Sequence, residues 1–172
     1  TQAGVSDSAF VKVIAGKLAK IEVSPEIAGV VSGTTQQFTA VGYDAAGHTV
    51  VPMKPDWSVS DPSLGKVDTT GLFTAHKVGT GYVIAAQEGV ADSAIVIVEP
   101  GPPALVTIAD STDMEVGPGA QNTIDVVVKD AFGNNVADGT VVDWLLIQTI
   151  GEASITPSRS YTQNGKASTV LT

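Results

Sequence analysis

The chain holds two histidines, His48 and His76, and no cysteine. A zinc site needs three or four nitrogen or sulfur ligands brought close together. The two imidazoles stand in different turns with no second ligand of that kind nearby, so both read as surface turn residues, and no Ser-His-Asp triad can be assembled around either. Without cysteine there is neither a disulfide framework nor thiolate chemistry. Trp57 and Trp144 could stack against a sugar, but each follows an aspartate, in Asp56-Trp57 and Asp143-Trp144. Their recurrence at matching places reads as core packing. Paired carboxylates for glycoside hydrolysis need a cleft to work in, and a row of short strands supplies none. Gly117-Pro118-Gly119 opens no helix, so a phosphate cradle is unsupported. One cation option remains. Glu99, Asp110, Asp113 and Glu115 gather hard oxygen ligands near a proline-rich stretch, and such ligands suit calcium. The spacing is not that of an EF-hand, and the competing reading is a solvated acidic loop. The expectation is no catalytic residue, no cofactor and no metal, with those four carboxylates as calcium candidates.

The elements that must position these residues follow from a repeat. Gly4-Val5-Ser6-Asp7-Ser8-Ala9-Phe10-Val11-Lys12-Val13 recurs as Gly89-Val90-Ala91-Asp92-Ser93-Ala94-Ile95-Val96-Ile97-Val98, with seven of ten positions identical. The same offset places Ala19-Lys20-Ile21-Glu22-Val23 on Ala104-Leu105-Val106-Thr107-Ile108. Asp44-Ala45-Ala46-Gly47 falls on Asp130-Ala131-Phe132-Gly133 with one residue of drift. A long period with so little drift means tandem copies of one small unit. Arrays of that kind hold or bind more often than they catalyse. Residues 1–16 then read as the last strand of a preceding copy plus a hinge, 17–99 as one domain, 100–103 as a linker, and 104–172 as a second domain. Measured against the first, the second reads as incomplete at its C-terminal end by about twenty residues.

Val, Ile and Thr runs broken by Gly and Pro about every ten residues predict short strands packed as β-sandwiches. Strands are expected at Leu18–Ser24, Gln36–Tyr43, Asp56–Ser60, Lys66–Asp68, Leu72–Ala75, Tyr82–Gln87 and Ala91–Val98. In the second half they are expected at Leu105–Ala109, Asn122–Asp130, Thr140–Ile147, Ala153–Thr156, Arg159–Thr162 and Lys166–Leu171. Asp44-Ala45-Ala46-Gly47-His48 reads as a turn in which the aspartate bonds its own backbone. Asn164-Gly165 is a hairpin signal, because both central residues of a type I′ turn want positive φ. Pro100, Pro102 and Pro103 stiffen the linker toward extended polyproline geometry.

The net charge of −9 and the pI near 4.4 argue against nucleic acid and anionic membranes, both of which need a basic face. No apolar run approaches the length of a membrane-spanning helix.

Some motifs are specific enough to name families. Asp56-Trp57-Ser58-Val59-Ser60-Asp61-Pro62-Ser63, Val67-Asp68, Gly71-Leu72-Phe73-Thr74-Ala75 and Gly79-Thr80-Gly81 resemble the bacterial immunoglobulin-like domains of group 2. Val127-Val128-Lys129-Asp130-Ala131-Phe132-Gly133-Asn134 and Asn164-Gly165-Lys166-Ala167-Ser168-Thr169-Val170-Leu171 resemble the group 1 domains of the intimin and invasin type. The resemblances imply an all-β chain of two tandem immunoglobulin-like β-sandwiches, the second truncated at its C-terminus. They imply an extracellular setting, at a bacterial cell surface or in a secreted protein. These motifs are turn and core residues, so they speak for fold rather than activity.

The function expected is a non-catalytic structural or adhesion module, a rigid spacer presenting neighbouring domains. Its partners would be those domains of the parent protein, and a host or cell-wall protein or glycan. Strand exchange between copies is a further option, with Asp7–Val13 filling the open edge of another second domain. The alternative is an accessory or glycan-binding module of a secreted polysaccharide-degrading enzyme. That role needs a coplanar row of exposed aromatics, for which only Tyr43, Tyr82 and Tyr161 are available.

Overall fold

A computed structural model describes residues 8–10, 12, 14–109, 119–147 and 153–172. All regular structure among them is β. The first ten strands are β1 (Leu18–Ser24), β2 (Ile27–Val31), β3 (Thr35–Gln37), β4 (Thr39–Asp44), β5 (Thr49–Val50), β6 (Asp56–Val59), β7 (Gly65–Val67), β8 (Leu72–Ala75), β9 (Gly79–Gln87) and β10 (Val90–Glu99). They form three sheets, ordered β1-β4-β5, β2-β10-β9-β6 and β3-β8-β7. Alternation along each strand selects the inward face. Ile21 and Val23 are buried while Lys20 and Glu22 face solvent. Ala94, Val96 and Val98 line the inner side of β10, and Val83 and Ala85 that of β9. These side chains converge with Phe38, Leu64, Phe73 and Ala75 on one core.

Two chain segments are shared between sheets. β1 pairs antiparallel with β4, whereas β2, just past Pro25, runs parallel to β10 with Ile27 opposite Ile95. Pro25 has no N–H to continue the first ladder, so the chain changes partners there. The run expected as one strand over Gln36–Tyr43 is likewise two. β3 pairs with β8 and β4 with β1. Between them Phe38 turns fully inward, and its N–H donates to the Gly71 carbonyl at 2.9 Å. Filling the core with that ring outweighs continuing a single ladder.

The remaining strands are β11 (Leu105–Ile108), β12 (Asn122–Lys129), β13 (Val141–Asp143), β14 (Ile155–Thr156), β15 (Arg159–Tyr161) and β16 (Lys166–Leu171). They form the sheets β11-β12-β16-β14 and β13-β15. Their core is separate and smaller, built from Val126, Val128, Val136 and Ala167 with Val142 and Trp144 against it. Asn164 and Gly165 have φ of 51° and 73°, and the bridge from Gln163 to Lys166 closes the turn the dipeptide predicted. Leu105, Val106 and Ile108 of β11 stay at least half exposed.

Of the segment Asp7–Val13, positions 7, 11 and 13 lie outside the described residues. Ser8, Ala9, Phe10 and Lys12 are exposed and belong to no strand.

Candidate functional site at the junction of the two cores

The two cores meet through the turn that follows β12. Asp130 is buried there and collects donors. Its Oδ1 accepts the N–H groups of Phe132 and Asn134, each at 2.9 Å, which is the turn closure expected of an aspartate at this position. Its Oδ2 accepts the Gly101 N–H at 3.1 Å and the Asn134 side-chain amide at 2.8 Å. Burial penalises the charged carboxylate, but these hydrogen bonds, led by that of Asn134, prevail and hold it below the ordinary range.

Asn134 then reaches across the linker. Its Nδ2 lies 3.0 Å from Ser32 Oγ and 2.8 Å from the His76 carbonyl, so two amide hydrogens are shared among three acceptors. Its Oδ1 accepts the Val78 N–H at 3.0 Å. Ser32 Oγ donates in turn to the His76 carbonyl at 2.6 Å. Beside this polar bridge, Phe132 stacks on the His76 ring with centroids 5.2 Å apart and planes 15° from parallel. The surface under Phe132 is Gly33, with φ of 86°. A Cβ there would stand 2.8 Å from Phe132 Cε2, so both backbone and space call for glycine.

The linker is part of the same contact. Gly101 is buried, and a Cβ on it would meet the Ser32 carbonyl at 3.0 Å and Asp130 Oδ2 at 3.2 Å. The Glu99 carbonyl accepts the Ser32 N–H at 2.9 Å before the prolines, and Ala104 N–H bonds the Lys129 carbonyl at 2.8 Å after them. The stretch is therefore tied to a core at each end and wedged at its middle.

His76, expected as a surface turn residue, is half-buried at this junction, whereas His48 is exposed. Trp57 and Trp144 are only partly buried, but each packs on its own core. Trp144 also donates from Nε1 to Ser160 Oγ at 2.8 Å. Trp57 contributes one wall of an open groove of about 530 Å³, with Thr39, Met53, Lys54, Asp56 and Thr70 around it. No other aromatic ring lines that groove. Tyr43, Tyr82 and Tyr161 sit on β4, β9 and β15, which belong to three different sheets, so they form no coplanar row.

Of the calcium candidates, Asp110, Asp113 and Glu115 lie outside the described residues. Glu99 is exposed at the end of β10. Among the described residues no three His, Asp or Glu side chains gather as a metal site. Among the described residues no helix is long and apolar enough to cross a membrane.

Comparison with known proteins bears on the architecture that holds this junction. The family model of the bacterial Ig-like domain (group 2) matches residues 17–98. Residues 17–98 are a bacterial Ig-like domain of group 2. The Ig-like domain thus ends where β10 hands the chain to the buried Gly101. No curated protein matches the chain. Among solved structures, the Escherichia coli adhesin FdeC is similar over 93% of this chain at 19% identity, with a TM-score of 0.52. The match takes in 58% of the FdeC chain, so this chain spans less than two thirds of it. Domains 5–6 of the S-layer protein SbsC are matched over 91% of this chain and 84% of theirs, at 17% identity and a TM-score of 0.44. The adhesin InvE of Yersinia pseudotuberculosis is matched over 89% of this chain and 50% of its own, at 17% identity and a TM-score of 0.43. The FdeC likeness is one of fold.

The junction itself went unread in the sequence. Its one signal was the offset that laid Asp130-Ala131-Phe132-Gly133 on Asp44-Ala45-Ala46-Gly47, which marked the turn but not what it touches.

Proposed function

We propose that the chain is a non-catalytic spacer and adhesion-type module of a bacterial cell-surface or secreted protein. It would present neighbouring domains of its parent at a set distance and angle. The group 2 domain over 17–99 and a group 1-like domain over 104–172 are the rigid bodies, and 100–103 is the linker. The observation that carries this reading is the bridge of Asn134 to Ser32, His76 and Val78 beside a buried Gly101. A tether that lets its domains swing leaves the linker solvated. Here Gly101 is bonded to Asp130, and the flanking Glu99 and Ala104 are each bonded to a core, which lowers the number of angles open to the pair. The adhesin neighbours support a surface setting, with host or cell-wall protein or glycan as distal partner.

Small-angle scattering on the intact chain and on N134A/F132A tests the role. The intact chain should give a single elongated shape, its maximum dimension near two domains end to end, and the double variant a broad distribution. Equally broad distributions from both would contradict the spacer.

A further inference from the structure

The turn after β4 repeats the turn after β12 bond for bond. Asp44 Oδ1 accepts the N–H groups of Ala46 and His48, each at 2.9 Å. Asp44 Oδ2 accepts the Gly16 N–H at 2.8 Å and lies 3.1 Å from His48 Nδ1. The backbone closures match as well. Asp44 N–H bonds the His48 carbonyl at 3.0 Å, and Asp130 N–H bonds that of Asn134 at 2.9 Å. Gly16 thus stands for Gly101, Ala46 for Phe132 and His48 for Asn134. What differs is the far side. Gly101 and Asn134 are buried by the group 2 domain, whereas Gly16, Ala46 and His48 are exposed.

We infer that the face made by Gly16, Ala46 and His48 is a docking surface for a further Ig-like body, seated as the group 2 domain is seated on Gly101, Phe132 and Asn134. The inference rests on the spacer reading and extends it to a second junction. Two observations choose this occupant. The bond set that shapes the receiving turn at Asp130 is complete at Asp44. And residues 4–13, which lead to Gly16, repeat residues 89–98, the strand that leads out of the group 2 domain to Gly101. His48 suits the task. Its Nδ1 lies 3.1 Å from the Asp44 carboxylate, and in the neutral tautomer that donates from Nδ1 the Nε2 atom is left to accept. That is the part Asn134 Oδ1 plays toward the Val78 N–H. Alanine in place of Phe132 leaves room for a larger side chain from the incoming body.

Two experiments test this, both read by amide hydrogen exchange. In the full chain, F132A/N134H gives the existing junction the residues of the exposed turn, with F132A/N134A as its reference. If a His48-type turn seats such a body, Gly101 should stay at least about tenfold better protected in F132A/N134H than in the reference. Equal loss of protection in the two variants overturns the inference, while the parent's protected Gly101 leaves the spacer reading standing. A parent chain with an unprotected Gly101 overturns both. In the second experiment residues 15–85 are placed ahead of Thr1, so that residues 4–13 take the place of 89–98 in an added body. Gly16 should then gain about tenfold protection, and H48A should remove it. An added body with protected core strands but an unprotected Gly16 overturns the inference. An added body that does not fold leaves the first experiment to decide.

Discussion

The turns at Asp44 and Asp130 form the same hydrogen bonds around a buried carboxylate, yet the outer face of the first, at Ala46 and His48, is exposed, whereas Asn134 of the other is buried against Ser32 and His76. Local sequence therefore accounts for the loop, and what lies opposite accounts for its burial. The consequence is energetic. Both carboxylates are buried, but the donors freed by losing Asp44 belong to the exposed Gly16, Ala46 and His48, which water can reach, whereas those of Gly101 and Asn134 at Asp130 stay buried and unsatisfied, which is the costlier event.

The sharpest way to break that contrast is to remove the carboxylates. Asp130→Ala strands the Gly101 and Asn134 donors and should cost about 3 kcal/mol in denaturant unfolding, summed from unsatisfied buried groups. Asp44→Ala should cost less. A larger loss at Asp44 would mean that burial does not separate the two sites.

Asn134→Ala should cost about 2 kcal/mol, because it frees the Val78 N–H and takes a donor from the buried Asp130 carboxylate together. Its counterpart His48→Ala should fall within about 0.5 kcal/mol of the parent, as for other surface changes. Urea unfolding of the two variants side by side measures the gap.

Gly101→Ala places a Cβ 3.0 Å from the Ser32 carbonyl and should cost about 1 kcal/mol as overpacking. Gly16→Ala meets Asp44 Oδ2 at 3.4 Å, an ordinary contact, and should be nearly silent. Equal melting temperatures for the two variants would show that Gly101 is not wedged.

Much of this architecture was legible in the chain. The bounds of β1 follow from alternation, since one buried face is enough to set them, and β8 and β16 begin just past the turn residues Gly71 and Asn164-Gly165. β2 was not foreseen, because Pro25 and Gly29 interrupt its apolar positions although Ala28 and Val30 are buried. β5 is two residues long, below what any period can report. The Asp44 turn was readable as an aspartate bonding its own backbone, and the offset carried that reading to Asp130. The reach of Asn134 to Ser32 was not readable. It spans 102 residues of sequence, and no periodic signal encodes a contact between two separate cores. Gly101 misled in a similar way. Between prolines it reads as linker, and only the approach of Ser32 and Asp130 shows why a side chain there would be in the way.

The smallest effect is the pH dependence. Both carboxylates titrate below the unfolded value near 3.9. A depressed folded-state pKa means that the folded state holds the proton less tightly than the unfolded one. The stability it contributes is complete above the unfolded pKa and is lost as pH falls through the folded one. Stability should be flat from neutral pH down to about 5 and decline below about 4. Asp130→Asn should flatten part of that decline. An unchanged acid slope would mean that Asp130 is not the group responsible.

The spacer role proposed above needs the Asp130–Asn134 bridge to hold the group 2 domain and the following sheets at one angle. Residual dipolar couplings in a weakly aligning medium test it directly. Couplings from β1–β10 and from β11–β16 should fit one alignment tensor, and N134A/F132A should split them into two of different magnitude. Two tensors of unequal magnitude in the parent chain would contradict it.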